Sequence, residues 1–135
     1  MSKKNENLTA LVVDDYENIR LMLVNALKKL GVTVTEASNG IEALDILSKK
    51  QFDILFTDIV MPEMDGFELC EEVRKRSELR ELPVVVVSTH CDSNYIVKAL
   101  QLGADDYIAK PIEIDLVEKV ISRITTELLP EAANV

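Results

Sequence analysis

No stretch of this chain approaches the roughly 20 consecutive apolar residues that span a bilayer. The opening residues, Met1 to Asn7, are polar and lack the apolar segment of a secretory signal. A cytoplasmic protein without membrane contact is therefore expected. Cysteine is scarce: Cys70 and Cys91 stand apart, without metal-ligand spacing, and a reducing cytosol disfavours a disulfide between them. They read as two ordinary thiols. Positive charge is also short, with 15 Lys and Arg against 24 Asp and Glu and a net charge of −9. That balance excludes the clustered basic footprint of a nucleic-acid binder. No repeat and no low-complexity linker interrupts the chain, so its 135 residues read as one domain, 1–135, with a core over about 8–129.

Apolar residues make up 47% of the chain, enough for a real core. Their pattern alternates five times between strand-like runs and helix-like spacing, the signature of βαβ units around a parallel sheet. Leu8 to Val13, Val32 to Thr35, Ile54 to Thr57, Val84 to Val87 and Tyr107 to Ala109 are the predicted strands. Four consecutive valines at 84–87 fit only a strand buried on both faces, whereas the second run alternates and suits an edge. Between the runs, five stripes recur at helical spacing: Ile19, Met22, Leu23, Ala26, Leu27 and Leu30; Ile41, Leu44 and Leu47; Phe67, Cys70 and Val73; Ile96, Val97, Ala99 and Leu100; and Leu116 through Leu128. Asn39-Gly40 marks a turn, Met61 to Gly66 a loop, and Pro130 the end of the last helix.

The strand ends carry the chemistry. Val13 runs into Asp14 and Asp15, Thr57 into Asp58, Val87 into Ser88, and Ala109 into Lys110-Pro111. In a doubly wound parallel sheet these residues emerge at the carboxyl edge, beside the switch point where such sheets bind ligands. Three clustered carboxylates repel one another unless a cation intervenes, and Mg²⁺, a hard oxygen-seeking ion, suits them. A plainer reading has Asp14 and Asp15 capping the first helix. Lys110 fits a point charge for phosphoryl oxygens, and Ser88 a hydroxyl donor to an oxygen bearing charge. A cis bond before Pro111 would aim the lysine inward.

Taken together and in order, Asp14-Asp15, Asp58 with Met61-Pro62-Glu63-Met64-Asp65-Gly66, Ser88, and Gly103 to Tyr107 leading to Lys110-Pro111 resemble the receiver domain of bacterial response regulators, from about Leu8 to Leu129. The resemblance implies a flavodoxin-like (βα)5 α/β fold with strand order 2-1-3-4-5. It implies that Asp58 is the phosphoacceptor for a phosphohistidine on a sensor histidine kinase or histidine phosphotransfer protein. It also implies that Mg²⁺ is held by Asp15, Asp58 and the main-chain carbonyl of Val60, with Asp14 bound directly or through water, and that Lys110 pairs with a phosphoryl oxygen. Ser88 and Tyr107 are implied as the switch: Ser88 moves to the phosphoryl group and an exposed Tyr107 turns inward, altering the face of helix four, strand five and helix five for a downstream protein. Such a domain is no enzyme beyond promoting its own phosphorylation and dephosphorylation. A stand-alone receiver, monomer or weak dimer, is the simplest expectation.

Two positions depart from the common pattern. Ser88 stands where threonine is more frequent, which keeps the hydroxyl. Thr89 stands where a smaller residue is usual, and its bulk lies where water would approach Asp58. His90 is expected to be a solvent-facing loop residue. A dehalogenase-type phosphatase also uses an aspartate nucleophile and Mg²⁺, but places a second aspartate where this chain has Val60. A flavodoxin-type flavin binder needs a Ser/Thr/Gly phosphate loop, and Asp14-Asp15-Tyr16-Glu17 would repel a phosphate without metal. A receiver-like module that never takes phosphate remains the third alternative.

Overall fold

In the computed structural model, residues 8–90 and 92–129 are described. The expectations for Met1 to Asn7, Cys91, Pro130 and the tail lie outside them. Five strands, β1 (Thr9–Val13), β2 (Thr33–Ala37), β3 (Ile54–Thr57), β4 (Val84–Ser88) and β5 (Asp106–Ala109), alternate with five helices. The helices are α1 (Glu17–Lys29), α2 (Gly40–Lys49), α3 (Gly66–Lys75), α4 (Ser93–Gln101) and α5 (Ile114–Glu127). All strand pairs are parallel, in the order β2-β1-β3-β4-β5. Among the described residues no helix is long and apolar enough to cross a membrane.

Period-two alternation within β1, β3 and β4 divides the core. Leu11, Val13, Leu55, Val84 and Val86 pack on one face with α2, α3 and Ala99 of α4. Ala10, Val12, Ile54, Phe56, Val85 and Val87 face the other way, towards α1 and α5. Every residue of β3 and all four valines of β4 are buried, which is what burial on both faces demands. The second strand is indeed an edge, with only Ala37 of its five residues fully buried.

The helix stripes are less regular than their spacing suggests. On α1, Val24 is buried while Met22 is 51% exposed and Ile19 is also exposed. Both line an apolar cavity of about 250 Å³, together with Pro111 and Ile112, that opens onto the strand-end carboxylates. Ile41, Val97, Leu100, Leu116 and Leu128 are exposed too, and α4 buries only Ala99. Asn39-Gly40 is a helix start, not a free turn: the Asn39 side chain accepts from the Glu42 N–H at 2.8 Å. Asp65 and Glu68 close a full capping box on α3.

At the far edge of the sheet, Arg74 ties α3 to the starts of β4 and β5. Its guanidinium donates to the carbonyls of Gly103, Arg80 and Leu82 and to Asp105, which in turn accepts from the Val84 N–H. This clamp sets the level at which β4 and β5 begin, and so the level at which Ser88 and Lys110 emerge.

Candidate functional site

Register brings the site together. Val13 of β1 sits opposite Thr57 of β3, so the next residues, Asp14 and Asp58, emerge side by side. Their amides continue the ladders, Asp58 N–H donating to the Val13 carbonyl and Asp14 N–H to that of Ala37. One carboxylate oxygen from each of Asp14, Asp15 and Asp58 lies within 4.8 Å of the others. Asp14 and Asp58 are buried, at 4% and 8% exposure.

Capping does not explain this arrangement. The N-cap of α1 is Tyr16, with no side-chain cap bond. Asp14 Oδ1 accepts from the Tyr16 N–H at 3.0 Å, a local turn. Asp15 Oδ1 is buried and has no hydrogen-bond partner, which a capping role would have supplied. An orphaned carboxylate oxygen between two more carboxylates is a donor set that fits a small, hard dication such as Mg²⁺.

Lys110 is the cation of the site. Ser88 of β4 pairs with Ala109 of β5, and the Lys110 N–H extends that ladder to the Ser88 carbonyl. The Lys110–Pro111 peptide bond is cis. Lys110 Nζ lies 2.7 Å from Asp14 Oδ2 and 3.2 Å from Asp58 Oδ2, with its side chain 9% exposed. One ammonium thus pairs with two of the three clustered carboxylates.

Burial pushes the Asp58 carboxyl above its ordinary range, Lys110 and the Ile59 N–H pull it back, and Asp14 adds to the rise. The folded protein therefore holds that proton more tightly than the unfolded chain, so stability falls as pH rises from the ordinary carboxyl range through the raised value. Removing the charge reverses the loss. Without metal at pH 7.5, Asp58→Asn should melt above wild type, with the gap narrowing as the pH falls into the carboxyl range. Equal melting temperatures at pH 7.5 would contradict the balance drawn here.

Ser88 is fully buried and its Oγ accepts from the His90 N–H at 3.1 Å. Thr89 is exposed at the cavity mouth, and Val60 is 55% exposed. Tyr107 is half-buried rather than exposed, and its hydroxyl donates to the His90 carbonyl. His90 is not a free solvent-facing residue, because its ring stacks on Tyr95 with centroids 4.6 Å apart. Cys70 is an inert core thiol, pushed up to about 11 by burial.

In the sequence, Gly66 counts as a chain breaker and as the last residue of the receiver-like run after Asp58. In the fold its N–H donates to the Ile59 carbonyl at 2.7 Å, and a Cβ here would fall 2.1 Å from the Asp58 carbonyl oxygen. Helix α3 is thus seated directly on the backbone that carries Asp58. The spacing from Asp58 to Gly66 held this signal, but nothing in it announces a close approach.

Known proteins are similar to this chain over most of its length. The sequence profile of the response regulator receiver domain matches residues 10–122. The DNA-binding transcriptional regulator NtrC of Escherichia coli K12 is 42% identical over 123 residues, 88% of this chain but 26% of that protein. The chain therefore spans about a quarter of the length of that relative. It matches nearly the whole of the chemotaxis protein CheY-3 of Vibrio cholerae, 35% identical over 125 residues, 92% of this chain and 96% of the other. Among solved structures, the receiver domain of the sensor histidine kinase PA1611 from Pseudomonas aeruginosa PAO1, with a magnesium ion coordinated in its active site cleft, superposes with a TM-score of 0.80. It is 25% identical, covering 86% of this chain and 95% of that one. On sequence, strand order and strand-end chemistry alike, the chain belongs to the response regulator receiver domain family of two-component signalling.

Proposed function

We propose that Asp58 is the phosphoacceptor of this receiver domain. A carboxylate oxygen of Asp58 attacks the phosphorus of a phosphohistidine on a sensor kinase or a histidine phosphotransfer protein. The O–P bond forms, the P–N bond breaks, and its electron pair returns to the imidazole nitrogen. One observation supports this above the others: Asp58 is buried between Asp14 and Lys110, with the unpartnered Asp15 Oδ1 at the same point.

Asp14, Asp15, Asp58 and the main-chain carbonyl of Val60 would hold Mg²⁺, in keeping with the ion in the PA1611 cleft. Bound there, the ion supplies countercharge to the phosphoryl oxygens, the largest need of a reaction that is mostly positioning and neutralisation. Lys110 Nζ, already within 3.2 Å of Asp58 Oδ2, pairs with a phosphoryl oxygen once the transfer is made. The buried Ser88 hydroxyl turns to the same group, and Tyr107, already half-buried with its hydroxyl on the His90 carbonyl, is held in that inward position. Phosphorylation thus biases a two-state element. Its surface is the face of α4, β5 and α5, where Val97, Leu100 and Leu116 stand exposed for a protein target.

We read residues 1–135 as one receiver domain, monomeric or weakly dimeric. It acts in the cytoplasm, binds no nucleic acid directly and catalyses nothing beyond its own phosphorylation and dephosphorylation.

Acetyl phosphate with Mg²⁺ should place one phosphoryl group on each chain, and chelation of the metal should suppress it. Labelling that survives complete chelation would contradict the metal requirement. Thr89→Ala should shorten the lifetime of the label several-fold, because the exposed Thr89 side chain stands at the mouth through which water reaches Asp58. An unchanged decay rate would dismiss that steric role.

A further inference from the structure

The loop between β4 and α4 contains a contact that neither the metal site nor the phosphoryl transfer uses. The His90 ring stacks on Tyr95 of α4 at 4.6 Å and 19°, and Tyr95 stacks on Phe67 of α3 at 5.9 Å and 23°. Lys98 Nζ lies 4.5 Å from the centre of the Phe67 ring and closes the ladder. His90 is held at three points. Its ring is on Tyr95, its N–H is on Ser88 Oγ, and its carbonyl accepts the Tyr107 hydroxyl.

The main chain of one residue therefore touches both side chains of the switch, while its ring decides where that main chain sits. Aromatic pairs gain energy from their offset geometry beyond the area they bury, so the stack resists displacement of His90. Helix α4 buries only Ala99 fully, with Tyr95 packed partly against the core.

We infer that His90 is a positioning residue, whose stack on Tyr95 and through it on Phe67 holds the loop in the arrangement with Tyr107 drawn in, and so favours the phosphorylated conformation. The inference rests on Asp58 as phosphoacceptor. By linkage, a contact that favours one state raises affinity for whatever ligand that state binds better. Loss of the stack must then weaken binding of a phosphoryl mimic without touching the site that holds it.

The test is titration of the full chain with beryllofluoride in saturating Mg²⁺, followed by ¹⁹F NMR of the bound species, with circular dichroism as a check on folding. Wild type should bind. His90→Ala should bind about threefold to tenfold more weakly, Tyr95→Leu similarly, and the double variant no more weakly than either alone. His90→Phe, which keeps a ring for Tyr95, should restore wild-type affinity; a purely local effect of losing the imidazole would not be rescued in this way. Unchanged or tighter binding by His90→Ala would overturn the inference while leaving Asp58 as acceptor. Absence of binding by wild type would instead overturn the phosphoacceptor reading itself.

Discussion

Gly66→Ala is expected to destabilise the protein by about 3 kcal/mol, well beyond an ordinary surface substitution. A Cβ at this position falls 2.1 Å from the Asp58 carbonyl oxygen and 2.8 Å from the Ile59 Cα, both backbone atoms that cannot swing aside. Relief requires α3 to lift off the strand end, breaking the 2.7 Å bond from the Gly66 N–H to the Ile59 carbonyl. Gly40→Ala is the control. There the closest atom is the Met64 Cγ at 2.8 Å, part of a flexible side chain, although the Met64 carbonyl stands at 3.0 Å. Urea unfolding should therefore show a far larger drop in midpoint at 66 than at 40. Labelling by acetyl phosphate should also slow in Gly66→Ala, because the atoms that move carry the acceptor. Equal midpoints for the two variants would contradict the seating of α3 on the Asp58 backbone.

The second large effect concerns Lys110. Its ammonium lies against two buried carboxylates, so Lys110→Ala leaves both without a countercharge. Breaking a buried ion pair from one side costs about 3–5 kcal/mol, far more than an exposed pair is worth. In the metal-free protein at neutral pH, Lys110→Ala should lose about 3 kcal/mol, or roughly 10 °C in melting temperature. Mg²⁺ should return most of that loss, since a dication among the same carboxylates replaces the missing charge. The narrowing of the gap by Mg²⁺ separates this account from simple loss of packing, which metal would not repair. Lys110→Ala should still accept some phosphoryl group. It should fail, however, to change affinity for a downstream protein, because no ammonium remains to pair with the phosphoryl oxygen.

The parts of this molecule that could be read in the sequence are those where period and composition leave one physical solution. Four valines in a row admit only a strand covered on both faces, and β4 is such a strand. Polar residues closing four apolar runs meet at one sheet edge because all the runs are parallel. Helix faces were less legible. Met22, Val97 and Leu116 have the spacing of core residues but stand exposed, because a stripe at 3.6-residue spacing records where apolar side chains lie and not whether anything covers them. The Asp65–Glu68 capping box was readable as Asp-x-x-Glu, yet the Pro and Gly around it drew the region towards a loop. Arg74 illustrates the rest. In sequence it opens a charged segment, whereas in the fold its partners include Gly103 and Asp105, some thirty positions away. The stack of His90 on Tyr95 was hidden for a related reason, since ring orientation depends on how the β4–α4 loop enters the helix.

The central claim is that one carboxylate, Asp58, carries the phosphoryl group while Asp14 and Asp15 support it. The most direct test is to phosphorylate the protein with acetyl phosphate and Mg²⁺, reduce it with borohydride, and map the product by mass spectrometry, since an aspartyl phosphate becomes homoserine. Homoserine should appear at position 58 in wild type and nowhere in Asp58→Asn. Homoserine at position 14 or 15, or none in a protein that has taken up phosphate, would contradict the assignment.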